Sequence, residues 1–321
     1  MDRIDVVCIG VVLLDLPLGP FDEQIFQKET TMVPNIRLTT GGDAFNEAVI
    51  LARLGKKPAL MGQVGMDLLG DIIEKRCEEE GVDHSRLQRD PKTETRINVV
   101  MIGTDKQRHF IKTQNSGSHS FRPEDIDYGI IKGARAVSLA SIYCSKLKDP
   151  EVILQILKFA RENGVVTFAD MVPMTGGEGI GDISEALSYL DFFLPNKEEA
   201  AALTGFHTPD EMADCLLQYG IKNVIIKLGK DGCLIKNHQQ RYRIPAFPAE
   251  AVDTTGAGDN FAAGFMTAVL DGIDLEDCGV FANAVAAIST ESMGATGAVK
   301  NKKQIETYLY KNKSFVKNIG L

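Results

Sequence analysis

Apolar residues follow two rhythms along this chain, and the rhythms take turns. Short continuous runs at Ile4–Ile9, Pro58–Val64, Ala136–Ala140, Val165–Ala169, Phe192–Leu194 and Asn223–Leu228 predict buried strands. Between them, apolar positions three and four apart predict helices over Ala44–Leu54, Leu68–Glu80, Glu151–Glu162 and Glu198–Leu203. Gly55 and Gly81 supply the stops of the first two. Thr208-Pro209-Asp210-Glu211 reads as a capping box with proline at the first helical position, so a further helix begins there. Alternating strands and helices imply a mostly parallel central sheet with helices on both faces, an α/β chain built as a three-layer αβα sandwich.

Two segments depart from that rhythm. Leu13–Leu38 is extended and punctuated by proline. Thr95–Lys112 reads as a hairpin, Ile97–Ile102 and Arg108–Lys112 joined by a polar turn at Thr104–Gln107. Insertions at about 12–38 and 94–114 therefore predict a small β-sheet lid on a single domain spanning residues 1–321. Such a flap can shut water out of a site. Ile97, Val99 and Met101 alternate with other residues, so one lid face needs a partner. From Gly256 onward the pattern is almost all helical, over Asn260–Leu270, Asp274–Ser292 and Lys303–Lys311.

Composition narrows the function. Of 321 residues, 44% are hydrophobic and 25% charged, which is ordinary for a globular chain. The net charge of −9 disfavours non-specific binding to nucleic acid or anionic membranes. An anionic ligand must then be held by local positive potential. The six cysteines form no C-x-x-C pair, which points to reduced thiols and a cytoplasmic protein. The N-terminus lacks the shape of a signal peptide, and no apolar run reaches the ~18 residues of a membrane span. The five histidines, His84, His109, His119, His207 and His238, contain no H-x-x-x-H pair, against metal-dependent hydrolysis. Gly10 is followed by Val11-Val12-Leu13-Leu14, so the dinucleotide fingerprint is missing after the first strand. No P-loop motif occurs either.

The chemistry concentrates in Asp253-Thr254-Thr255-Gly256-Ala257-Gly258-Asp259, where a strand-like stretch runs through a glycine turn into a helix. A helix start of this kind presents unpaired N–H groups and the positive end of a dipole, an anion hole fit for a transferring phosphoryl group. Asp259 at its rim can take the proton of an attacking hydroxyl. A short Gly-x-Gly alone would be a structural loop with an Asp cap; the full string is far more specific.

That string resembles the C-terminal signature of the ribokinase family, the B-type phosphofructokinase carbohydrate kinases. The N-terminal signature is also similar, with Gly41-Gly42-Asp43-Ala44-Phe45-Asn46, then Gly62-Gln63-Val64-Gly65-Met66-Asp67. Asn196-Lys197-Glu198-Glu199 and Lys227-Leu228-Gly229-Lys230-Asp231-Gly232 match two further elements, in the family's order, over nearly the whole chain. The resemblance implies an ATP-dependent kinase that phosphorylates a hydroxyl of a small sugar. It implies Asp259 as general base and Gly256, Ala257 and Gly258 as the anion hole. Lys227, Gly229, Gly232, Gly258 and Asn283 would lie along ATP, with Asn196 and Glu199 organising magnesium indirectly; their plainer reading is a helix cap. Potassium would sit by Asp253, Thr255, Ser289, Ser292, Gly294 and Ala298, unless Asp253 merely caps its turn. Asp15, Gly41, Gly42 and Asn46 would meet the sugar. Asp43 is unusual there, and either touches substrate or caps the helix that follows. Related lids pair, implying a homodimer.

The match departs from known subtypes after Ala169. Asp170-Met171-Val172-Pro173-Met174-Thr175 lacks the Asn and Arg common in fructose and ketodeoxygluconate kinases. Ser141 stands near a position where ribokinases place Glu. Phe21 and Phe26 are the only aromatic residues of Leu13–Leu38 and read as packing of the flap, which places a nucleoside substrate second. A phosphosugar kinase stays open, with Arg96 and Lys112 as the basic candidates or as plain surface charge. A non-catalytic sugar-sensing homologue is the remaining alternative.

Overall fold

The computed structural model describes residues 3–34, 36–104, 108–112, 120–144, 146–174 and 176–313. His119, Thr175, residues 105–107 of the expected lid turn and residues 113–114 of the expected lid lie outside the described residues. The strands are β1 (Val6–Ile9), β2 (Leu13–Phe21), β3 (Thr39–Gly41), β4 (Pro58–Gly65), β5 (Asp83–Asp90), β6 (Ile97–Gly103) and β7 (Arg108–Lys112). They continue with β8 (Ala136–Ile142), β9 (Val166–Met171), β10 (Phe192–Phe193), β11 (Asn223–Lys227), β12 (Cys233–Lys236) and β13 (Arg241–Ile244). The helices are α1 (Asp43–Arg53), α2 (Leu68–Glu80), α3 (Tyr128–Gly133), α4 (Pro150–Glu162) and α5 (Ser184–Leu187). The rest are α6 (Lys197–Thr204), α7 (Pro209–Leu217), α8 (Ala257–Leu270), α9 (Leu275–Ser289) and α10 (Lys302–Lys311).

Nine strands form the main sheet in the order β13-β12-β11-β10-β9-β8-β1-β4-β5. It is parallel except for β12 and β13, which return antiparallel from β11. Both faces are buried, so β1 sends Val6 and Cys8 to one core and Val7 and Ile9 to the other. The first core joins α1, α2, α8, α9 and α10; the second joins α3, α4, α5, α6 and α7. A separate four-stranded sheet runs β3-β2-β6-β7. In it β2 and β6 are parallel, with Asp15 opposite Asn98.

Local chemistry sets several helix ends. Asp67 caps α2 through the Gly70 amide at 2.9 Å, and Gly81 ends it in the left-handed region at φ 72°. Two expectations change here. The last part of the chain starts its helix at Ala257, not Asn260, which places Gly258 and Asp259 inside the first turn. Helix α9 stops at Ser289, so Ser292 lies in the loop beyond it. β5 went unrecognised because it is a polar edge strand, Asp-His-Ser-Arg-Leu-Gln-Arg-Asp, with only Leu87 buried. Phe26 does not pack the small sheet; it is 86% exposed. No helix among the described residues is long and apolar enough to cross a membrane.

Candidate active site

The carboxyl ends of parallel strands in an open α/β sheet form a natural crevice. Here Asp170 near the end of β9 and Lys227 at the end of β11 meet there in a buried ion pair. Burial works against the Lys227 ammonium, but Asp170 and Glu199 beside it prevail and hold its pKa above the usual value. The ammonium lies over Gly258: a Cβ added there would stand 3.3 Å from Nζ. A positive charge therefore faces the first turn of α8. That turn begins at Gly256, whose φ of 71° puts it in the left-handed region. The Ala257 amide leans back on the Thr254 carbonyl at 3.3 Å, while the next two amides open the helix ahead of its first i−4 acceptor.

Asp259 is the third residue of α8. Asn46 of α1 donates to its Oδ2 at 2.7 Å, so the two helices are tied at this carboxylate. Burial, then the nearby charge of Asp43, pushes the Asp259 carboxyl well above the usual carboxylate range; the Asn46 bond and Lys227 pull the other way. Asp43 is itself raised by burial, against a hydrogen bond from Ser141 at the end of β8. It does not cap α1. Gly42 is the cap residue, at φ 94°, and no side chain caps that end. Asp43 is instead the first helical residue, turned to Ser141, because Gly42 lies so close to the Val11 carbonyl that only a residue without Cβ fits.

On the small sheet, Asn98 donates to Asp15 Oδ1 at 3.2 Å. Burial first of all pushes the Asp15 carboxyl up to about 6. Gly41 packs directly on that carboxylate, where a side chain would collide with it. Asp15, Gly41, Gly42, Asp43 and Asn46 thus lie along the β2–β3 strands and the start of α1.

On the other side of Lys227 is a cleft of about 480 Å³. Phe247, Pro248, Phe261 and Ala287 give it apolar walls, and Gly229, Gly232, Ala257, Gly258 and Asn283 share its lining. Gly229 and Gly232 adopt φ of 57° and 85° in the turn from β11 to β12, as their spacing suggested. Asn283 is buried and donates to the Ile244 and Pro245 carbonyls at 3.3 and 3.2 Å, fixing the backbone that leads to Phe247.

Asn196 and Glu199 cap α6 reciprocally, each side chain accepting from the other's amide at 2.8 Å. Burial, followed by the charge of Asp170, pushes Glu199 up to about 7. Neither lines the 480 Å³ cleft, but Asn196 is bridged to Lys227 and so borders it. At the remaining candidates, Asp253 accepts from the Thr255 amide and hydroxyl at 2.9 and 2.7 Å and from the Gly294 amide at 2.8 Å. Ser292 Oγ is buried without a hydrogen-bond partner among the described residues. Ser289 Oγ donates to the Ala286 carbonyl, and the Ala298 carbonyl accepts from Gln304.

A sequence model of the pfkB family carbohydrate kinases matches residues 3–302. The chain belongs to this family. It is 28% identical over 291 residues to a ribokinase of Haemophilus influenzae, covering 88% of this chain and 90% of that one. It is 30% identical over 293 residues to a nucleoside kinase of Methanothermobacter thermautotrophicus, covering 90% of each. The crystal structure of a ribokinase from Thermotoga maritima superposes with a TM-score of 0.81 at 26% identity, over 96% of this chain and 100% of that one. The pfkB assignment makes this a kinase of the sugar and nucleoside class, a phosphotransferase with an alcohol acceptor. Its relatives act on more than one kind of acceptor, so the family does not choose the substrate.

Three features of this pfkB-family site escaped the sequence reading. Asn98 faces Asp15 across two strands far apart in the chain. Asp170 was seen only as a departure from a motif, yet it pairs with Lys227. Glu47, wholly buried, takes a hydrogen bond from Ser138 at 2.8 Å, and burial raises its pKa well above the usual value. Its place in the apolar stripe of α1, at helical spacing from Asp43, was the only available signal.

Proposed function

We propose that this protein transfers the γ-phosphoryl group of ATP to a hydroxyl of a small sugar or sugar derivative, with Asp259 as the general base. The observation that carries this is the position of Asp259. It opens α8 beside Gly258 and the Lys227 ammonium on the cleft side, and bonds to Asn46 on the Asp15 side. The apolar cleft is suited to an adenine ring, and the Gly256–Gly258 amides with Lys227 to the phosphates. Asp15, Asn46, Asp43 and the Gly41–Gly42 backbone would hold the acceptor's hydroxyls. As the hydroxyl attacks phosphorus in line, Asp259 takes its proton; a carboxylate with a raised pKa does this better than an ordinary one. Charge gathering on the transferred group would be met by the α8 amides and Lys227.

Magnesium bound with ATP would lower the charge on the phosphates. Asn196 and Glu199, already spent on each other's amides, would reach it only through water. Ser292 Oγ, buried without a hydrogen-bond partner among the described residues, is the candidate here that leaves room for a potassium ion, whereas Asp253, the Ser289 hydroxyl and the Ala298 carbonyl already have protein partners. The small sheet would act as a lid over the acceptor, on one domain covering the chain. It would also carry a homodimer contact, since Phe110 and Ile111 are 51% and 55% exposed on it and Ile97, Val99 and Met101 half-buried. A monomeric mass by light scattering would remove the dimer.

ADP release from Mg-ATP tests the reading across neutral sugars, phosphosugars, sugar acids, amino sugars and nucleosides. Saturable turnover with one acceptor class supports it. ATP binding without turnover on any acceptor would favour a sensor.

A further inference from the structure

Asn260 is the fourth residue of α8 and follows Asp259 directly. It is wholly buried, in a helix interior that ordinarily disfavours asparagine. Its Nδ2 donates to two backbone carbonyls, that of Gly256 at 2.8 Å and that of Ala295 at 2.7 Å. Its Oδ1 is buried without a hydrogen-bond partner among the described residues. A buried acceptor without a donor is costly, and turning the amide over would only set that oxygen against the two carbonyls. The side chain gives up one bond and keeps its grip on both carbonyls. Alanine would fill a helix interior without that cost, so packing alone does not account for asparagine here.

The Gly256 carbonyl also accepts the Asn260 backbone amide at 2.9 Å, so one residue sends it two donors. In a planar trans peptide the carbonyl and the N–H that follows it point in opposite directions. Fixing the Gly256 carbonyl therefore fixes the direction of the Ala257 N–H, an amide of the proposed anion hole. That direction needs fixing. Gly256 sits at φ 71°, where glycine gives the backbone unusual freedom, and the Ala257 amide's bond to the Thr254 carbonyl is long, at 3.3 Å. Ala295 is a firm anchor for the grip. A Cβ added to Gly256 would stand 2.5 Å from that of Ala295, so the two residues pack too closely for any side chain between them. The loop that carries Ala295 is held from elsewhere too. The Gly294 amide donates to Asp253 Oδ2 at 2.8 Å, and Arg53 at the end of α1 donates to the Thr296 and Val299 carbonyls.

We propose that Asn260 is a positioning residue for phosphoryl transfer: by clamping the Gly256 carbonyl to the loop at Ala295, it aims the Ala257 N–H at the transferring group. The assignment rests on the kinase reading above. Asn260 touches neither substrate and acts through the peptide it holds. A preorganised donor is worth most where charge develops, so the clamp matters for the rate and little for the binding of either substrate.

The test compares Asn260→Ala with Asn260→Ser in the full chain, using the best acceptor from the screen. Both variants lose the bond to Ala295. A serine hydroxyl can still donate to the carbonyl four residues back in its helix, which is that of Gly256. Urea unfolding should therefore show both variants destabilised to a similar extent. Calorimetry should give a Kd for a magnesium-bound, non-hydrolysable ATP analogue close to that of wild type in both, and KM for the acceptor should hardly move. The rates should part: kcat falls ~tenfold or more in the alanine variant and stays within ~threefold of wild type in the serine variant. A merely structural role would make the rate follow stability. Equal kcat in the two variants, or a folded alanine variant as fast as wild type, overturns the assignment. Asn260→Cys, with serine's shape and only a weak donor, takes the place of Asn260→Ala if that variant does not fold, and the same outcomes decide. Wild type that turns over no acceptor removes the kinase reading and this assignment with it. Active wild type whose variants keep its kcat removes this assignment alone.

Discussion

Replacing Lys227 by methionine keeps most of the side-chain volume and deletes one charge. The ammonium and its partner Asp170 are 13% and 7% exposed at the side chain, so Asp170 would be left charged in a poorly solvated place. Breaking a buried pair from one side costs about 3–5 kcal/mol. Asp170 can escape part of that cost by taking a proton, at about 1.4 kcal/mol for each pH unit by which its pKa exceeds the buffer. The penalty should therefore be largest at pH 8 and shrink towards pH 5. The double variant Asp170→Asn with Lys227→Met removes both charges and should regain most of the stability, giving a coupling of at least about 2 kcal/mol. It should not regain activity, because the charge over Gly258 is still missing; a kcat loss of ~10²-fold or more is expected in both variants. Urea unfolding at two pH values and ADP release measure these effects. A single variant as stable as wild type at pH 8, or a double variant no more stable than the single, would refute the reasoning.

Gly256→Ala combines a disfavoured φ with a Cβ 2.5 Å from that of Ala295, so a stability loss of about 1–3 kcal/mol by urea unfolding is expected, together with weaker ATP binding. Asp15 and Glu199, pushed up to about 6 and about 7, hold protons more tightly when folded than when unfolded. Their contribution is fully present below the ordinary carboxylate range near pH 4 and is lost as pH rises through about 6 to 7, so the melting temperature should fall between pH 5 and 8. Glu199→Gln, which keeps the cap, should flatten that fall; for this residue it amounts to about 3 kcal/mol at most. Potassium should raise kcat or melting temperature over a tetramethylammonium control, and Ser292→Ala should reduce the difference; identical values in both salts would remove the cation from Ser292.

Much of this architecture could be read from the chain because its causes are local. Parallel strands buried on both faces must be continuously apolar, so β1, β4, β8 and β11 were plain, and α2 was legible from its apolar spacing and from Gly81, which stops it. β5 was not legible, because an edge strand meets solvent and carries polar residues. Asp43 looked like a cap because caps are usually polar, but the approach of Gly42 to the Val11 carbonyl had already decided the position. The glycine turn ahead of α8 was legible because its whole string, and not Gly-x-Gly alone, marks a helix start, and Gly256 does take the left-handed backbone there. The Asp170–Lys227 pair and the Lys146–Gln63 contact join residues 57 and 83 positions apart, and no spacing rule reaches across such gaps.

The proposed chemistry rests on Asp259, and Asp259→Asn is the measurement that meets it most directly. Asparagine preserves the shape and can still pair with Asn46, so fold and ATP affinity should survive. With the best acceptor from the screen, single-turnover phosphoryl transfer should fall by ~10²–10⁴-fold, the range of a lost general base, with the Kd for ATP within a few-fold of wild type. A variant that binds ATP and transfers phosphate at near-native rate would contradict the assignment of Asp259 as the base.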